Sequence, residues 1–93
     1  MELKTVSEAH EFFMNFTGGV AANEGNTGVM AWITLDHEKS GFILHLSNHV
    51  NDNEFYICTV SPRRLKNYRT IEAAARDAAA MGLEYITLSL EGL

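Results

Sequence analysis

The chain has 93 residues, of which 46% are hydrophobic and 20% charged, with a net charge of −5 and a single cysteine. This balance predicts one α+β domain over residues 1–93 with a real buried core, and it excludes a disordered tail. No stretch approaches the ~18–20 apolar residues of a membrane span. The first residues lack a secretory signal, and Cys58 alone cannot form an internal disulfide, so a cytoplasmic protein is expected.

In chain order, Thr5-Val6-Ser7-Glu8 has the spacing of a capping box, in which hydroxyl and carboxylate each satisfy an orphan N–H at a helix start. A helix is predicted from there to about Phe16, where Thr17-Gly18-Gly19 supplies a stop. Its apolar stripe holds Val6, Ala9, Phe13 and Phe16 at 3–4 spacing. Residues 18–28, with four glycines, read as a loop suited to adapting to a partner.

Three strands follow on β-branched and aromatic content: Val29–Leu35, Gly41–Ser47 and Glu54–Val60. Asp36–Ser40 and Asn48–Asn53 are polar turns between them. Ser61-Pro62 offers a cap and a proline at a first helical position, predicting one helical turn over Arg63–Tyr68. Thr70 caps a second helix, which Gly82 ends. Leu83–Leu90 closes the chain as an alternating strand. The order α-β-β-β-α-β predicts an antiparallel sheet with both helices packed on one face.

Charge is unevenly placed. Residues 1–62 carry two basic side chains against eight acidic ones, whereas Arg63, Arg64, Lys66, Arg69 and Arg76 fall within fourteen positions. The segment 61–69 is the best candidate for anion or nucleic-acid contact: Arg63, Arg64, Lys66 and Arg69 supply cations and Tyr68 a ring to stack on a base. The α-β-β-β-α portion is similar in element order to double-stranded-RNA-binding domains. Those carry a basic signature at the start of their second helix, and Thr70-Ile71-Glu72-Ala73 has none.

Catalytic and metal chemistry find little footing, and neither an enzyme nor a cofactor or metal is expected. His45, His49, Asp52, Glu54 and Cys58 are potential ligands, but His45 and His49 run from a strand into a loop and do not converge as helical neighbours would. Glu8, His10 and Glu11 do not face one another on a helix, and Ser61 reads as a cap. Contact residues of the acidic surface and loop are instead expected at Glu24, Asp36, Glu38, Asp52 and Glu54.

The expected function is that of a small acidic, non-enzymatic interaction protein that docks on a basic, nucleic-acid-handling partner. Such a profile is similar to that of small phage- and plasmid-encoded inhibitors, anti-CRISPR proteins among them. The alternatives are a nucleic-acid or phosphate-binding module working through 61–69, and a homodimeric regulatory or structural protein.

Overall fold

The computed structural model describes residues 2–17, 29–48 and 53–91. Strand β1 (Leu3–Lys4) leads into helix α1 (Val6–Thr17). Strands β2 (Val29–Leu35), β3 (Phe42–Asn48) and β4 (Asn53–Ile57) precede helix α2 (Ile71–Ala80), and β5 (Thr87–Leu88) follows it. Both helix starts are built as the local sequence dictates. Thr5 N–H donates to Glu8 Oε1 at 2.8 Å and Glu8 N–H to Thr5 Oγ1 at 3.1 Å, a complete capping box. Ala73 N–H donates to Thr70 Oγ1 at 3.1 Å, and past the other end of α2 Gly82 takes φ +97°.

The sheet is five-stranded and mixed, in the order β1-β4-β3-β2-β5. This corrects the antiparallel expectation: only the hairpin pairs β2–β3 and β3–β4 are antiparallel, while β1 pairs with β4 and β5 with β2 in parallel. The cause is the way the edge strands are delivered. Helix α1 crosses from β1 to β2 and α2 from β4 to β5, so β1, β2, β4 and β5 all run the same way and each edge strand lies parallel to its neighbour. Both crossovers run in the same direction across the sheet, and since such connections are right-handed, both helices land on one face. Ala9 from α1 and Ala74 and Ala78 from α2 accordingly share one buried cluster with Ile33, Leu44, Leu46 and Ile57. Each fully buried Leu or Ile in that layer contributes on the order of 1.5–3 kcal/mol.

Further boundaries differ from expectation, that of β4 among them, which ends at Ile57 and not Val60. The last strand is two residues, not eight, because only Thr87 and Leu88 reach the register of Trp32 and Ile33. The predicted turn over Arg63–Tyr68 is an extended segment, entered through a cis Ser61–Pro62 bond. Its backbone groups are spent on the sheet and cannot close a helical turn. Lys66 N–H donates to Ile57 O at 3.0 Å, Tyr68 and Phe42 exchange N–H···O bonds at 2.7 Å, and Thr59 N–H donates to Arg64 O at 2.8 Å. The segment thus takes up the pairing with β3 where β4 leaves off.

Candidate functional site

Among the described residues, the sheet has a face covered by helices and a face without them. On the covered side strand residues are apolar and buried: Ala31, Ile33, Leu44, Leu46, Phe55 and Ile57. By alternation the helix-free side presents Trp32 on β2, Ile43, His45 and Ser47 on β3, and Glu54 and Tyr56 on β4. Register places Trp32, His45 and Tyr56 in one row across three strands. Their rings form a column, with centroids 5.4 Å apart for Trp32–His45 and 4.5 Å for His45–Tyr56, the planes inclined by 28° and 12°.

Glu54 ties the column down from the neighbouring row. Its Oε1 lies 2.7 Å from His45 Nε2, so Nε2 carries the proton that the carboxylate accepts. The Glu54 side chain remains 64% exposed. Ser47, opposite Glu54 in the ladder, is buried, and its Oγ has no hydrogen-bond partner among the described residues. No described strand position on this face is Lys or Arg. Lys4 does not join it: its Nζ sits 5.3 Å and 5.5 Å from the Phe12 and Phe55 ring centroids, on the helix side.

The acidic positions expected to make contacts do not behave alike. Glu54 belongs to the helix-free face. Glu38 is exposed on the hairpin loop. Asp36 is a turn-builder: its Oδ1 accepts from the Glu38 and Lys39 N–H groups at 2.9 and 3.2 Å, and its Oδ2 from Asn67 Nδ2 at 3.0 Å. The bond from Asn67, with those loop amides, holds the Asp36 carboxyl below the ordinary carboxylate range. Glu24 and Asp52 lie outside the described residues, as does His49 of the potential ligand group.

The basic segment is also divided. Arg63 pairs with Glu8 at 2.8 Å and donates through its other nitrogen to Leu3 O at 2.7 Å. Lys66 reaches Asp77 Oδ2 at 2.7 Å, and the Tyr68 hydroxyl donates to the same oxygen at 2.7 Å. Tyr68 is 3% exposed, so its ring packs in the core and presents no face to a base. Burial first, then the Asp77 carboxylate, raises its hydroxyl pKa above the ordinary phenol value. Arg64 and Arg69 are exposed and form no ion pair among the described residues.

Cys58 is buried, where a free thiol behaves as a small apolar side chain. It lines a groove of about 600 Å³ between α1, α2 and the end of β4, together with His10, Lys66 and Asp77. The charged pair in that groove is already joined to itself and to Tyr68.

The ring column was legible only in part. Alternation puts Trp32, His45 and Tyr56 on sheet faces, but their meeting in one row depends on register, which the loop sequences do not fix. No family model matches this chain, and no curated protein and no solved structure matches it. What the structure defines is a small α+β domain with a five-stranded mixed sheet and two helices. No helix among the described residues is long and apolar enough to cross a membrane.

Proposed function

We propose that this protein acts by contact, as a small acidic, non-enzymatic interaction protein that docks on a basic surface of a nucleic-acid-handling partner. Inhibitors of the phage or plasmid type, anti-CRISPR proteins included, are the class it would belong to. The observation that carries this reading is the helix-free sheet face. There, three stacked rings and an exposed carboxylate stand together on strand positions without a Lys or Arg. Aromatic groups with a charged neighbour are the usual energetic centre of a protein interface, and a surface of one sign speeds encounter with the opposite one.

The test is a pull-down from native lysate, with and without nuclease, using the wild type and two surface variants. A stoichiometric protein retained after nuclease, lost with Trp32→Ala/Glu54→Lys and kept with Arg64→Glu/Arg69→Glu, is the expected result. Loss of every partner on nuclease treatment would instead favour a nucleic-acid module. The exposure of Arg64 and Arg69 supports that second reading, though Arg63, Lys66 and Tyr68 are engaged within the fold. A homodimeric role draws on the exposed apolar edge at β5, where Tyr85 and Leu90 are 68% and 72% exposed. A doubled mass in sedimentation equilibrium would support it.

A further inference from the structure

The geometry points to a phosphate-binding notch at the opposite end of the basic segment from its paired cations, a site that does not depend on the docking reading above. A cleft of about 460 Å³ lies between the hairpin loop and the residues entering α2, lined by Lys39, Ser40, Gly41, Asn67 and Arg69. Lys39 and Arg69 are thirty positions apart in the chain, and both are exposed. Neither makes an ion pair among the described residues.

The loop is built in a way that leaves donors over. Asp36 Oδ1 takes the N–H groups of Glu38 and Lys39, and the next two backbone N–H groups, of Ser40 and Gly41, have no acceptor among the described residues. Asn67 clamps the two walls together through one amide nitrogen, which donates to Ser40 O at 2.8 Å and to Asp36 Oδ2 at 3.0 Å. Gly41 keeps the backbone bare. Its φ is +108°, and a Cβ there would stand 2.6 Å from Tyr68 O and 2.7 Å from Asn67 Oδ1.

Lys39, Arg69, Ser40 and Gly41 therefore line one cleft, and between them they carry an ammonium, a guanidinium, a hydroxyl and two N–H groups without an acceptor among the described residues. Phosphate offers several strong acceptor oxygens to such a set, and a guanidinium fork meets two of them at once. The adjacent Asp36 carboxylate opposes this with one negative charge, but three donors occupy its oxygens, the Lys39 charge already acts on it, and Arg69 adds a second cation. The phosphate group can come from a small phosphate ester or from a nucleic-acid backbone, and the two sources make different demands on the rest of the surface.

The experiment is amide-resolved NMR of the labelled full chain at fixed ionic strength, titrated with inorganic phosphate, a nucleoside monophosphate and a single-stranded oligonucleotide, with chloride as control. The expected result is saturable shifts at the Ser40, Gly41 and Arg69 amides with phosphate and monophosphate. Arg69→Ala or Lys39→Ala should each weaken binding about tenfold, the worth of one charge-assisted hydrogen bond. A small ester is the source if the monophosphate saturates these amides and the oligonucleotide binds no tighter. A nucleic-acid backbone is the source if the oligonucleotide binds tighter at the same amides with a steep salt dependence. Both substituted side chains are exposed, and the spectra of the variants report their folding directly. Unmoved amides, an equal response to chloride, or shifts that persist in a Lys39→Ala/Arg69→Ala double variant would overturn the assignment.

Discussion

The two faces of this sheet are held by different forces. Under the helices, stabilisation comes from apolar contact in a layer where Ala9, Ala74 and Ala78 let the helices approach closely and Leu44 and Leu46 fill the space. On the other side, ring stacks and a His45–Glu54 hydrogen bond do the ordering, with solvent nearby. The difference teaches that the first face is committed to folding and has little freedom to change. The second can be altered at small cost to stability, which is the condition for a surface that serves a partner.

The largest expected effect breaks the covered face. Leu44 is fully buried, so Leu44→Ala leaves a cavity and should cost about 2–5 kcal/mol in urea denaturation. Next comes Gly41→Ala, which puts a side chain into a positive-φ position and against Tyr68 O; a loss of about 1–3 kcal/mol is expected in the same measurement. On the helix-free face, Tyr56→Leu keeps apolar bulk and removes only the stacking on His45, so about 0.5–1.5 kcal/mol should be lost while partner capture falls sharply. If Tyr56→Leu proves as damaging to stability as Leu44→Ala, the contrast between the faces collapses.

The smallest effect concerns pH. The Thr5 N–H and then Arg63 hold the Glu8 carboxyl below its usual value of 4.5. A carboxylate lowered in the fold adds stability that is fully present above its unfolded pKa and is lost as pH falls through the folded one. Glu8→Gln retains an acceptor for the capping box but not the charge. Its melting temperature should therefore trail the wild type at neutral pH, and the gap should close once the pH drops well below 4.5.

What could be read from the sequence was what is written locally. Thr5 with Glu8, and Thr70 with Gly82, mark helix ends through bonds to groups within a few positions, and both helices sit where those residues put them. Strand β1 was not readable. Leu3 and Lys4 have no strand pattern of their own and become a strand only by pairing with Tyr56 and Ile57, more than fifty positions away. The same holds for segment 61–69, whose cap-and-proline start is overruled by acceptors at Ile57 and Phe42. The charge cluster divides for a related reason. Neighbours in sequence, its cations diverge in space: Arg63 to Glu8 in α1, Lys66 to Asp77 in α2, Arg69 toward Lys39 on the hairpin loop.

The short strands at both margins of the sheet carry a practical consequence. Leu3–Lys4 shields β4 and Thr87–Leu88 shields β2, and each guarded strand is longer and more apolar than its guard. Trimming either flank, or displacing it with a bulky fusion, would leave a row of hydrogen-bonding groups seeking another chain. A well-behaved monodisperse sample would then turn into one that clumps as its concentration rises.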